Sequence, residues 1–249
     1  MYFLRSKRFA AGLRSLKPAA NRPLVCYVTD RKSLTGTGMG VSLTSTILQN
    51  IQLAVHAGVD WVQLREKDLP AGQLLELARA IIHLSKEQAA GTDHQPQIIV
   101  NDRLDVALAA RAYGVHLGRE SAPVRDVVRW CRAGNAPNRF AIGVSCHSLE
   151  EAREAETAKA DYIFFGPVFE TPSKQTFGMP QGTERLAEVC RTVQLPIIAI
   201  GGVDQENTAR CIRAGAAGIA AIRIFQQSRD AKAVTESVAS MHNLRREEP

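Results

Sequence analysis

Trp61-Val62-Gln63-Leu64-Arg65-Glu66-Lys67 decides how the rest of this chain is read. Alternation across a strand puts Gln63, Arg65 and Lys67 on one face and Val62, Leu64 and Glu66 on the other. Inside a parallel sheet both faces are covered, so a regular row of amide and cationic groups is costly there unless it meets something anionic. An antiparallel strand with one face in water would carry the same pattern. The neighbouring segments must therefore choose between the two readings.

Working outward, short β-rich runs alternate with helix-length segments from Leu24 onward. The strand candidates are Leu24–Asp30, Trp61–Lys67, Gln97–Asp102, Gly114–Gly118, Phe140–His147, Tyr162–Phe169, Pro196–Gly202 and Gly218–Phe225. Helical patterns fall between and after them, at Thr46–Ala57, Gly72–Gln88, Leu104–Arg111, Pro123–Ala133, Leu149–Lys159, Thr183–Thr192, Gln205–Ala214 and 229–246. Eight βα units imply a parallel sheet that closes most naturally as a single (β/α)8 TIM barrel, with an open doubly wound sheet as the alternative. No G-x-G-x-x-G follows the first strand, where a dinucleotide fold would need it. The phrases Ala57-Gly58-Val59-Asp60, Ala112-Tyr113-Gly114-Val115, Ala158-Lys159-Ala160-Asp161 and Ala214-Gly215-Ala216-Ala217-Gly218 read as tight αβ turns at the stability face.

With 249 residues, 45% of them hydrophobic, the chain can build one large core. The formal net charge of +6 is local, because Arg5, Lys7, Arg8, Arg14, Lys17 and Arg22 precede any acid and the other 25 Lys and Arg match 25 Asp and Glu. Nucleic acid is therefore not an expected partner of the folded part. Residues 1–22 read as a basic flexible arm, with an organellar transit peptide as the other reading, and residues 23–249 as the barrel. No apolar run is long enough to span a bilayer, so no membrane partner is expected. Five cysteines without a C-x-x-C pair suggest a reducing, cytoplasmic setting rather than disulfides or zinc. A homo-oligomer is compatible with the sequence.

Barrel active sites form at the C-terminal ends of strands. Those ends carry Arg65 and Lys67, Asn101-Asp102-Arg103, His116 through Glu120, Ser145-Cys146-His147, Thr171 through Lys174, Gly201-Gly202, and Ile222-Arg223. Cations, amides, hydroxyls and a carboxylate drawn from separate strands suit a phosphate or pyrophosphate bound with a divalent metal. Asn101-Asp102 would alternatively cap the next helix. Gly201-Gly202 offers backbone N–H groups to an anion. His147 is either a hydrogen-bonded histidine or an acid/base group, whereas His116, earlier in its strand, reads as structure. His56, His83, His94 and His242 carry no functional signal. The long polar loop Glu170–Gln181 has the composition of one that closes over substrate.

Gln63-Leu64-Arg65-Glu66-Lys67, Asn101-Asp102-Arg103, Gly114-Val115-His116-Leu117-Gly118, Gly143-Val144-Ser145, Gly166-Pro167-Val168-Phe169 with Thr171 and Lys174, and Ala199-Ile200-Gly201-Gly202 together resemble the thiamine phosphate synthase and thiazole tautomerase family. The resemblance implies a synthase joining a hydroxymethylpyrimidine pyrophosphate to a thiazole phosphate with loss of pyrophosphate. It implies that Gln63, Leu64, Arg65, Glu66, Lys67, Asn101, Ser145 and Lys174 hold the pyrimidine pyrophosphate. Thr171, Ser173 and Gly201 would face the thiazole phosphate, with Gly202, Ile222 and Arg223 as further substrate-binding residues. Arg65, Lys67, Lys174 and His147 are the expected catalytic groups, and Asp102 the expected Mg2+ ligand. Ser121 stands where the family pattern has a second metal-binding aspartate, so Glu120 is the carboxylate expected to complete the site. Arg223 stands where the family usually has a serine. The stretch Cys146 through Ala152, followed by Phe169-Glu170-Thr171, also resembles the tautomerase branch, which isomerises a thiazole carboxylate phosphate with His147 as acid/base and no metal; a non-catalytic ligand-binding relative is the third reading.

Overall fold

The computed structural model describes residues 22–34, 43–89, 95–171, 179–227 and 230–244. Its strands are β1 (Leu24–Val28), β2 (Trp61–Leu64), β3 (Gln97–Asn101), β4 (Gly114–Leu117), β5 (Ala141–Cys146), β6 (Tyr162–Phe165), β7 (Ile197–Ile200) and β8 (Gly218–Ala221). Neighbours in sequence pair in parallel and β8 pairs with β1, which closes the barrel. Helices α1 (Leu43–His56), α2 (Ala71–Ala89), α3 (Leu104–Ala110), α4 (Val124–Trp130), α5 (Leu149–Thr157), α6 (Gly182–Thr192), α7 (Thr208–Arg213), α8 (Arg223–Gln226) and α9 (Ala231–His242) follow their strands. Both α8 and α9 come after β8. The open-sheet alternative is thereby set aside.

Period-two alternation sorts every strand into two layers. Val25, Val62, Leu64, Val100, Val115, Ile163 and Ile219 point outward into the layer shared with the helices. Leu24, Cys26, Val28, Trp61, Ile99, Tyr162, Phe164, Ile198 and Ala220 fill the barrel. Gly143 makes room for Tyr162, since a Cβ there would lie 2.0 Å from its ring. The interior is therefore a packed floor rather than a pore.

The expected αβ turns are present and are built on left-handed residues, not all of them glycine. Gly58 and Gly215 have φ of +88° and +97°, while Arg111 and Lys159 take +57° and +67° in the other two turns. Two of the turns end in an aspartate that serves the preceding strand. Asp60 accepts the Val25 N–H at 2.8 Å, and Asp161 accepts that of Ile142 at 2.7 Å. Each carboxylate is in turn paired, Asp161 with Arg132 at 2.6 Å and Asp60 with both Arg22 at 2.5 Å and His242 at 3.0 Å. Arg22 is thus held rather than part of a free arm; Met1–Asn21 lie outside the described residues.

All eight strands end earlier than expected, by three residues in β2 and by four in β6 and β8. β2 stops at Leu64 because the Arg65 N–H goes to the Thr29 hydroxyl at 2.9 Å instead of a strand partner. β8 stops at Ala221, so Arg223 opens α8 instead of continuing the strand. Among the described residues no helix is long and apolar enough to cross a membrane.

Candidate active site

The C-terminal rim starts from Gln63, which points into the barrel at 2% exposure. Its Nε2 donates to Asn101 Oδ1 at 2.9 Å, and Asn101 Nδ2 donates to Asp102 Oδ2 at 2.6 Å. The other Asp102 oxygen accepts the Gly118 N–H at 3.0 Å and the Ser121 hydroxyl. Asp102 holds its place with a left-handed φ of +59°, and its N–H donates to His116 O at 2.8 Å. The helix-cap reading of Asn101-Asp102 is corrected here: Arg103 occupies the cap of α3, and both side chains are committed to the rim. Gln63 Oε1 is buried and has no hydrogen-bond partner among the described residues. A buried acceptor left unpaired costs about 1–3 kcal/mol, so it is a point that a donor on a ligand would satisfy.

Beneath the rim, His116 is 1% exposed. Its Nδ1 lies 3.2 Å from the Tyr162 hydroxyl and its Nε2 2.9 Å from Ser145 Oγ. The expectation that His116 is structural holds, and the structure adds what it supports: the orientation of Ser145. His147 is anchored twice, by its N–H to Glu151 at 2.5 Å and by Nδ1 donating to Gly166 O. With Nδ1 so committed, any proton exchange by this ring falls to Nε2. Burial first, then the charges of Glu151 and Glu154, push the neighbouring Cys146 thiol up to about 12. It is protonated at neutral pH and no nucleophile.

The β6 and β7 exits are packed into one another. Val168 N donates to Ile200 O and Phe169 N to Gly201 O, both at 2.9 Å. Gly201 and Gly202 have φ of +92° and +66°, and a Cβ on Gly202 would lie 2.4 Å from Glu170 O. This fixes the approach to half-buried Thr171. Ser173 and Lys174 lie outside the described residues.

Other expected site residues divide. Arg65 is half-buried and Lys67 exposed, both just beyond the end of β2. Leu64 is corrected as a side-chain contact: its side chain is fully buried in the layer between barrel and helices, away from the barrel interior. Glu66 is corrected too, since its buried carboxylate is taken by the Arg31 backbone N–H at 3.1 Å and its guanidinium at 3.2 Å. Burial raises the Glu66 pKa against the lowering effect of Thr29 and Arg31. Ile222 packs on the barrel interior, and Arg223 is exposed at the start of α8. Glu120 is exposed, and no hydrogen bond or ion pair among the described residues joins it to Asp102. Nor do those residues contain a cluster of three or more His, Cys, Asp or Glu able to hold a metal ion.

Sequence reading missed Thr29 and Arg31. They directly follow β1, so the strand-end rule that singled out the other residues applies to them as well. A cavity of about 650 Å3 opens at the opposite end of the barrel, lined by Lys86, Arg111, Asn135 and Arg139 among others, and shares no residue with the rim.

Residues 28–225 match the family model described as thiamine monophosphate synthase. A putative thiamine-phosphate synthase of Geobacter sulfurreducens is 43% identical over 176 residues, 71% of this chain and 78% of that protein. A thiamine-phosphate synthase of Roseiflexus castenholzii is 36% identical over 222 residues, 89% of each chain. Among solved structures, thiamine phosphate pyrophosphorylase from Pyrococcus furiosus superposes with a TM-score of 0.71 at 29% identity, covering 88% of this chain and 94% of that one. A 3-hexulose-6-phosphate synthase, 14% identical with a TM-score of 0.64, shares the barrel.

Proposed function

The chain belongs to the thiamine monophosphate synthase family and is a transferase that makes thiamine phosphate, and from that premise we propose how its rim divides the work. Gln63, Asn101 and Ser145 seat the pyrimidine, while Arg65, Lys67 and Lys174 take the diphosphate. Thr171, Ser173, Gly201, Gly202, Ile222 and Arg223 receive the thiazole phosphate. The observation that supports this most is the continuous hydrogen-bonded chain from Gln63 through Asn101 and Asp102 to Ser121. It spans three strand ends and leaves the buried Gln63 Oε1 unpaired among the described residues.

The chemistry follows from the charges. The bond between the pyrimidine methylene and the diphosphate breaks with its electron pair on the leaving oxygen, and the thiazole nitrogen supplies the pair for the new C–N bond. Cations around the diphosphate stabilise charge where it develops, which is the largest catalytic term available to such a site. No protein nucleophile is needed, in keeping with the raised Cys146 thiol.

Mg2+ binding here would rest on a single protein carboxylate, with phosphate oxygens and water completing the shell. Asp102 would hold it, and Ser121, whose hydroxyl donates to Asp102, takes the place of a second carboxylate. When bound, Mg2+ would add charge neutralisation at the diphosphate. Exposed Glu120 is a weaker candidate, because nothing described links it to Asp102.

Titration calorimetry with the pyrimidine diphosphate, with and without Mg2+, tests the assignment alongside a pyrophosphate-release assay with both substrates. Metal-dependent binding and stoichiometric pyrophosphate release are expected. Binding that ignores Mg2+ removes the Asp102 role, and absence of release removes the whole division of labour.

A further inference from the structure

We infer that Arg31, on the turn leaving β1, is a positioning residue for the loop that carries Arg65 and Lys67, and that it acts through Glu66 and Asp68. This rests on the reading of Arg65 and Lys67 as diphosphate-binding groups. Because β2 ends at Leu64, strand pairing does not place those two cations. The β1 exit places them instead.

The Thr29 hydroxyl accepts the Arg65 N–H at 2.9 Å. Glu66 takes the Arg31 N–H at 3.1 Å and one guanidinium nitrogen at 3.2 Å. The same guanidinium reaches across Lys67 to Asp68, donating from its second terminal nitrogen at 2.8 Å and also from the first. Lys67 therefore sits between two residues gripped by one planar fork. The Glu66 side chain is 1% exposed and that of Arg31 12%.

A buried pair of this kind is weak evidence for stability, because desolvation offsets the attraction. What the geometry does supply is direction. A guanidinium fork fixes its partners in register as a flexible ammonium does not. The turn is also braced on its far side, where Gln226 Nε2 donates to Asp30 O at 2.9 Å and Ser33 Oγ donates to Gln226 Oε1 at 3.2 Å. Gln226 closes α8, the helix that Arg223 opens. One short turn thus spans two rim segments that carry exposed cations.

Steady-state kinetics of Arg31→Ala test the inference, with each substrate varied in turn and the thermal midpoint recorded. The KM for the pyrimidine diphosphate should rise by about 10- to 100-fold, the size of effect that follows small misplacements of binding groups, and the KM for the thiazole phosphate by less than about threefold. In calorimetric affinity for the pyrimidine diphosphate, which needs no turnover, Arg31→Ala combined with Lys67→Ala should lose well short of the sum of the single losses, because a displaced Lys67 has little left to lose. Arg31→Lys keeps the charge but not the fork and should recover only part of the loss; it also serves if the alanine variant does not fold. Equal rises in both KM values, unchanged kinetics, or additive losses with Lys67→Ala overturn the inference while leaving the function intact. A wild type that does not turn over the substrate pair overturns the underlying reading and this inference with it.

Discussion

Replacing Gly202 with alanine should damage stability and thiazole phosphate binding together. The residue sits at φ +66°, where an L side chain costs about 1–2 kcal/mol. Its Cβ would lie 2.4 Å from Glu170 O and 2.7 Å from both the carbonyl carbon and oxygen of Phe169. These are backbone atoms, so rotamer changes cannot relieve the overlap, and forced repacking adds about 1–3 kcal/mol. The sum, about 2–5 kcal/mol, corresponds to a fall in thermal midpoint of about 5–15 °C for a domain of this size. Whatever movement relieves the overlap displaces Phe169 and Glu170, and with them Thr171. A shift of about 1 Å there is worth up to 10²-fold in turnover. Scanning fluorimetry and kinetics with varied thiazole phosphate measure both effects. Gly72→Ala is the control, because nothing lies within 4 Å of the Cβ it would add on α2. A Gly202→Ala midpoint within about 2 °C of wild type and an unchanged KM would refute the packing argument.

Lys67→Ala and Lys174→Ala should each abolish pyrophosphate release, and wild-type rates in both would dissolve the proposed cationic cluster. His147→Ala should cost little in a reaction that needs no protein base; loss of most activity would make its Nε2 a proton carrier after all. Burial pushes the Asp60 pKa up, but the His242 and Val25 hydrogen bonds and the Arg22 charge outweigh it and hold the carboxyl below the usual range. A carboxyl depressed in the fold adds stability above its unfolded pKa and loses it as pH falls through the folded one. Asp60→Asn should therefore be less stable by about 1.5–3 kcal/mol in urea at pH 6–7. That gap should shrink below about pH 4, and one independent of pH would contradict the assignment.

The barrel was legible because the αβ turns punctuate eight apolar runs, and all eight became strands. Strand ends were less so. Nothing local in Arg65-Glu66-Lys67 says that the Thr29 hydroxyl, 36 residues away, will claim the Arg65 N–H. Nor does Ala221-Ile222-Arg223 announce that a helix begins there. Which residues face inward was also hidden, because both faces of a parallel strand are apolar and composition alone does not separate Val62 from Trp61. Rim polarity, by contrast, is an exception to that apolar background, which is why Gln63, Asn101, Asp102 and Ser145 stand out in the sequence. Leu64 and Glu66 were swept in by adjacency. Arg31 was passed over because a lone arginine after a strand resembles ordinary surface charge until its two carboxylates come into view, and His242 because its partner Asp60 is 182 residues distant.

Arg22 and His242 end on the same carboxylate, at the barrel face opposite the mouth. An engineered bridge between the two regions would need only a short linker, and new ends could be cut elsewhere on the surface. A reporter or affinity handle appended on that side would leave substrate entry unobstructed, so circularly permuted or doubly tagged versions are practical tools for studying this enzyme.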